Sequence, residues 1–352
     1  TMAMQQVQGR ILSLDFFRGL TMFLLVAETT GLYNVLGWGQ FHHHPWNGLR
    51  FWDLIQPFFM FIVGVAMPIS LARREAKGFT YSQNWKHILK RCLILFLMGT
   101  GIQCAYSRKL VWELWNVLAQ LSVTILITYA VMKLKIKWQF IISIGLLLFT
   151  DLIYRFFPVD GFNQPFVKGE NFGSWVDMVL MCKINGGGWV AINCIPTAAH
   201  TIWGAIVGRL LLDNARDNWS KLKQFCLWGV IFLIIGYGLD FTGITPIIKR
   251  ISTVSFVFVS GGWTLLALAF CFWLIDMKKQ DKIVMPFAIV GMNSILIYLL
   301  TQTVGAQWFN KFIGIFTNGF GGLIGVPENI LAIITALIIL AFEWLFCYYL
   351  YK

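Results

Sequence analysis

Apolar positions in this chain run in blocks the length of whole helices, separated by short polar joints. A helix needs about 20 apolar residues to cross a hydrocarbon layer. Ten runs meet that standard: 15–36, 51–72, 91–107, 111–132, 138–157, 187–212, 221–240, 251–275, 283–303 and 328–350. Only Arg108, Lys109 and Leu110 join the third and fourth. Longer mixed connections cover 37–50, 73–90, 158–186 and 304–327, and glycine-rich pieces at 186–188 and 319–325 break the chain before helices. The pattern predicts an all-α, polytopic integral membrane bundle of about ten transmembrane helices. No repeat or linker divides it, so 1–352 is read as a single transmembrane domain.

Composition agrees with that reading. The chain is 58% hydrophobic and 12% charged, where soluble domains carry roughly 25% charge. Its formal charge of +12 does not point to nucleic acid, because Lys and Arg cluster in the short joints. With a cytoplasmic N-terminus, 19 of the 28 basic residues fall on the cytoplasmic side, which favours an N-in, C-in topology. Residues 1–10 are then a short cytoplasmic tail. The 37–50 loop and the 158–186 and 304–327 connections face outward. No cleavable leader is read, since the first apolar run is too long. The seven cysteines include no CxxC pair and read as small core residues.

The candidate chemistry gathers where a polar loop, Phe41-His42-His43-His44-Pro45-Trp46-Asn47-Gly48, runs into a helix start bearing Asp53. Histidine takes and returns protons near neutrality, and an imidazole with an orienting carboxylate is an acid–base pair. A merely solvated loop is the bland alternative. Three consecutive histidines do not easily converge on one ion, and no further ligand stands at suitable spacing, so no metal is expected. Pro57 removes the amide that would bond the Asp53 carbonyl.

Other polar groups lie inside apolar runs. Glu28 sits in the outer half of the first, where a carboxylate is costly and usually functional. Asn293 and Ser294 suit hydrogen bonds between helices. Pro196, His200 and Thr201 mark a broken helix start, and Asp15 and Arg18 suit an i,i+3 pair. There is no GxxxxGK[ST], HExxH or GxSxG motif. Any acyl donor would be handled by the membrane domain itself.

At Leu14-Asp15-Phe16-Phe17-Arg18-Gly19, then His43-His44-Pro45-Trp46-Asn47-Gly48 with Asp53 and Pro57, the chain resembles the heparan-α-glucosaminide N-acetyltransferase family and its bacterial, YeiB-like transmembrane acyltransferases. The likeness continues through Gly261-Gly262-Trp263 and the 287–295 stretch with Gly291-Met292-Asn293-Ser294-Ile295. The resemblance implies a transmembrane N-acetyltransferase that moves acetyl from cytosolic acetyl-CoA to the amine of a glucosamine-type sugar on the periplasmic side. Acetyl-CoA is then an acyl-donor substrate, and no metal takes part. The family histidine, three residues before the Trp of the HxxWNG element, corresponds to His43, the general base. The family aspartate corresponds to Asp53, and beside that resemblance Asn47 or Asn293 is expected to donate to the developing oxyanion. Glu28, His44, Trp46, Asn293 and Ser294 are expected at the acceptor. Arg73, Arg74, Lys90 and Arg91 are the nearest basic set for the donor phosphates, although positive-inside charge explains them equally. Where many relatives carry an Asn-containing turn, this chain has Glu28-Thr29-Thr30, with Asn34 only later, which leaves room for a different acceptor.

The expected setting is the bacterial inner membrane, multi-pass. The expected partners are membrane lipid, an amino sugar or glycan fragment and acetyl-CoA, with a homodimer allowed and nucleic acid excluded. An inner-membrane transporter of N-acetylglucosamine-type sugars is the alternative function.

Overall fold

A computed structural model describes residues 11–352, so the expected 1–10 tail lies outside the described residues. The helices are α1 (Leu12–Thr29), α2 (Leu32–Leu36), α3 (Ile55–Ala76), α4 (Tyr81–Ser107), α5 (Val117–Val131), α6 (Ile136–Phe156) and α7 (Phe172–Met181). They continue with α8 (Cys194–Leu212), α9 (Asn218–Phe241), α10 (Val254–Cys271), α11 (Val284–Met292), α12 (Ser294–Leu300), α13 (Asn310–Leu323) and α14 (Glu328–Tyr351). Among the described residues there is no strand, only an isolated antiparallel bridge between Asn47 and Ile248. The protein is all-helical.

Among the described residues, seven helices are long and apolar enough to cross a membrane, or up to eight if α11 and the helices after it count as one bent span. Ten runs were expected, and the two that fall short do so for visible reasons. The α1 helix has 18 residues but carries Asp15, Arg18 and Glu28, and it stops at a left-handed Gly31 (φ 82°). The α5 helix has only 15 residues, about 22 Å. It begins late because Asn116 caps it, accepting from the Leu118 amide at 2.8 Å. Just before that cap, the Trp115 indole donates to Asp177 (2.8 Å). The 283–303 run is broken at Asn293, with a 62° bend between its halves. Much of the 304–327 connection is helical, as a π-helical segment over Thr301–Phe309 and then α13.

The described chain forms two compact units. One comprises His43–Phe270, the other Ile11–His42 with Cys271–Lys352. In the first, α3 packs on α8 through small residues. A Cβ added at Gly64 would lie 2.1 Å from the Thr201 carbonyl oxygen, and one at Gly204 would lie 2.2 Å from that of Phe61. Gly204 and Gly208 form a GxxxG pair, which lets helix backbones approach closely. The α5 helix packs against α4 and α8, and α6 against α8. In the second unit α1 packs along α11, where Phe16 and Phe23 meet Phe287 edge-on at 5.3 and 5.4 Å. Asp276 accepts a hydrogen bond from Ser13 in the same unit.

Candidate active site

The site is built in the first unit, on the loop between His43 and the start of α3. Two backbone contacts fasten this loop to the segment ahead of α10. The Gly48 amide donates to the Ile247 carbonyl at 2.8 Å, and Asn47 bridges to Ile248. Gly48 has φ +133°, and the His44 imidazole lies 2.7 Å from where its Cβ would be, so glycine is required twice over. Ile248 and Ile251 are anchored in an apolar cluster with Tyr154 and Val190, against which Trp46 and Phe166 pack. The Trp46 indole donates to the Phe166 carbonyl at 2.8 Å.

Asp53 stands on a short 3₁₀ turn, Phe51–Leu54, that leads into α3. Its carboxylate folds back over the loop. Oδ2 accepts from the backbone amides of Arg50 (2.9 Å) and His44 (3.2 Å), while Oδ1 lies 3.1 Å from His43 Nδ1. The Asp53 side chain is 1% exposed and that of His43 is 35% exposed. One member is thus buried and held by amides, and the other keeps an open edge. Pro57 falls in the first turn of α3, where its missing amide costs little.

Lys249 completes the cluster. Its Nζ lies 3.1 Å from His43 Nδ1 and 3.8 Å from Asp53 Oδ1, and its side chain is 6% exposed. Trp189 meets the His43 ring edge-on at 5.5 Å and lies under both Lys249 and Arg250 (5.4 and 5.6 Å). Arg250 in turn donates to the Gly187 carbonyl. Burial and then the Lys249 ammonium push the His43 imidazole down to about 4, outweighing the opposing hydrogen bond and charge of Asp53, and Arg250 lowers it further. His43 is therefore neutral near pH 7, and its contact with Asp53 is a hydrogen bond rather than an ion pair. Nδ1 has two partners that demand opposite roles: it donates to Asp53 or accepts from Lys249. When it donates, Nε2 carries the free lone pair of a base.

Residues 10–238 match the family model for heparan-alpha-glucosaminide N-acetyltransferase, catalytic. The chain belongs to that family. It is 22% identical over 354 residues to mouse heparan-alpha-glucosaminide N-acetyltransferase, covering 83% of this chain and 53% of the relative. It is 21% identical over 380 residues to the human protein of the same name, covering 89% and 55%. The chain thus spans about half the length of the curated relatives it matches.

Within this heparan-alpha-glucosaminide N-acetyltransferase family member, His43, Asp53, Asn47, Trp46 and His44 all belong to one loop assembly. Lys249, Arg250 and Trp189 were not singled out from the sequence. Lys249 and Arg250 read there as two outward basic residues, and they lie beyond the family-matched segment. Asp177 was also missed. Buried and accepting from Trp115 and the Ala191 amide (2.9 Å), it is pushed up to about 6 by that burial.

The basic set stands at the far end of α3 and on α4. Arg74 donates to Asn84 (2.8 Å) and its guanidinium lies over Phe79 at 4.2 Å. Arg74 and Arg91 line one cavity with His87 and Tyr129, whereas Arg73 and Lys90 do not line it. That cavity, about 20 Å³, has room for about one water. From Asp53 to Arg74 the chain rises about 30 Å, at 1.5 Å per helical residue. That is close to the thickness of a hydrocarbon layer. Glu28, Asn293 and Ser294 belong to the second unit. There the Glu28 carbonyl accepts from the Gly31 amide at the end of α1, and Asn293 is the hinge residue of the bend, its carbonyl accepting from Ile297 (2.9 Å). Among the described residues, no three His, Cys, Asp or Glu side chains are grouped to hold a metal.

Proposed function

We propose that this chain is a transmembrane N-acetyltransferase of the bacterial inner membrane, moving acetyl from cytosolic acetyl-CoA to the amine of a glucosamine-type sugar on the periplasmic side. The observation that carries this reading is the neutral His43 imidazole, hydrogen-bonded to a buried Asp53 and open at one edge. Such a pair removes a proton from an amine as it attacks a carbonyl. Family membership and the curated relatives' names favour the same chemistry. The N-in, C-in topology belongs to this reading, with the His43 loop outward and the basic end of α3 in the cytosol.

In the proposed reaction the sugar nitrogen bonds to the thioester carbon while His43 Nε2 accepts its proton. Asp53 holds Nδ1–H and balances the imidazolium. Asn47 donates to the developing oxyanion, a role worth about 3 kcal/mol in a dry site. As the C–S bond breaks, the proton passes from Nε2 to the CoA sulfur. Lys249 acts through His43 as a positioning residue. Its charge opposes a lasting imidazolium and so favours return of the proton to the leaving thiolate. Direct transfer is the proposed route; the alternative is an acetyl-imidazole on His43 that is later passed to the sugar, and a labelled acetyl group trapped on His43 without acceptor would favour it. His44 and Trp46, in the same loop assembly as His43, are assigned to the acceptor. Arg73, Arg74, Lys90 and Arg91 are assigned to the donor phosphates, Arg74 and Arg91 with the better support because they share a cavity wall.

The test uses purified protein in liposomes with acetyl-CoA and glucosamine. The expected result is CoA-dependent N-acetylglucosamine without sugar uptake. His43→Ala should lower turnover by roughly 10²–10⁴-fold while acetyl-CoA still binds. Full turnover in His43→Ala would sink the mechanism, and uptake of N-acetylglucosamine with no CoA dependence would sink the enzyme reading in favour of a carrier.

A further inference from the structure

The second unit holds a carboxyl group that the proposed reaction does not use. Glu343 lies in α14 and is 7% exposed. Its Oε2 is buried and has no hydrogen-bond partner among the described residues. An unpaired polar atom in apolar surroundings costs free energy, and an ionisable group inside a membrane span points to a partner that pairs with it. The carboxyl borders a cavity of about 340 Å³. Leu300, Thr301, Val304 and Gly305 form one wall, and Phe342 and Phe346 flank the acid on the other. The first wall includes the start of the π-helical segment Thr301–Phe309, a distortion often found at functional sites. Gly305 leaves the acid room, since a Cβ there would lie 3.3 Å from Glu343 Oε1.

The depth of the acid also matters. Glu343 precedes Tyr351, the last residue of α14, by about 12 Å of helix rise. Between them lie Trp344, Tyr348 and Tyr349, with Trp344 and Tyr348 stacked at 5.5 Å. Aromatic residues of this kind mark the edge of the hydrocarbon. The carboxyl is therefore just inside that edge, above an apolar cavity near the lower end of the ~300–1,000 Å³ typical of small-ligand pockets.

We propose that this cavity is a binding site for a single-chain amphiphile bearing a primary amine, its ammonium paired with Glu343 and its alkyl chain laid against Leu300, Val304 and Phe346. An ammonium supplies both the charge and the donors that the carboxyl lacks, and the volume suits one chain rather than two. The helices that form the site follow residue 238, outside the family-matched segment.

Dodecylamine serves as the probe, with purified protein in neutral detergent. Equilibrium binding should weaken at least tenfold in Glu343→Gln and in Val304→Trp, which fills the cavity from the opposite wall, and excess dodecanol should not displace the amine. Wild-type affinity in Val304→Trp, or displacement by dodecanol as effective as by dodecylamine, would overturn the proposal. A second measurement needs no variant. Dicyclohexylcarbodiimide activates carboxyls, and a bound amine displaces the urea to leave an amide. Mass spectrometry should find the dodecylamide on Glu343 in preference to the exposed Glu328 of the same helix. Equal amidation at both would refute the site.

Discussion

His43 differs from its histidine neighbours in what its Nδ1 faces. Asp53 offers an acceptor and Lys249 a donor charge at the same 3.1 Å. The balance leaves the ring uncharged down to about pH 4, against an ordinary value of 6.5. Between those values the folded chain binds fewer protons at His43 than the unfolded chain, so acidification through that window costs stability. For activity the sign is the same: the acid limb of the rate profile should fall near pH 4, well below 6.5. The groups facing the ring are Asp53, Lys249 and Arg250. Lys249→Met removes the nearest positive charge, so the His43 titration should move upward and the acid limb should follow it. Lys249→Arg should keep the limb low. An NMR titration of labelled histidine reads the shift without any turnover, and an unmoved His43 in Lys249→Met would remove Lys249 from its assigned role.

Among the helices, α3 carries the most consequence. It starts beneath Asp53 and ends at Arg73 and Arg74, and its middle lies against α8 with almost no side chain between them. That contact holds only while Gly64 and Gly204 remain glycine. Gly204→Leu would drive its side chain into the Phe61 carbonyl. Overpacking of this kind costs typically 1–3 kcal/mol, sometimes more. The expected outcome is a marked drop in the thermal midpoint of the detergent-solubilised protein, with loss of acetyl-CoA binding. Gly145→Leu, on α6 where a Cβ meets nothing within 4 Å, should change little. Equal melting of the two variants would show that the close α3–α8 approach is not limiting.

For the whole molecule, the quantity on which the proposed reaction depends is orientation. Basic residues on alternate joints favour an inward N-terminus and an outward His43 loop, and the proposed reaction needs that arrangement because its donor and acceptor are on opposite sides. A cysteine at Gly39 should react with an impermeant maleimide added outside intact cells, after the other accessible cysteines are replaced. A cysteine at Lys137 should react only once the membrane is opened. The reverse pattern would invert the topology and with it the proposed direction of acetyl transfer.

The sequence by itself determined the helical class and most of the helices able to span a membrane, and it placed Asp53 within reach of the histidine loop, while the choice of His43 came from the family resemblance. Each of these depends on short stretches of chain. An apolar run declares a span through its own length, and ten residues of loop suffice to fold a carboxylate back onto an imidazole. Local reading did not separate α1 and α5 from the longer, more apolar helices, because hydropathy averages over charges and caps such as Asp15, Arg18 and Asn116. Only the tertiary structure decided what keeps His43 neutral and what leaves Glu343 Oε2 without a hydrogen-bond partner among the described residues. Lys249 is 206 residues from His43 and reaches it because Asn47 and Gly48 bond to Ile248 and Ile247 while Ile248 is held in a buried apolar cluster. Glu343 faces a cavity shaped by a π-helical turn that no apolar periodicity encodes. Charge interactions and cavities belong to pairs of distant surfaces, so they come into being only when the helices pack.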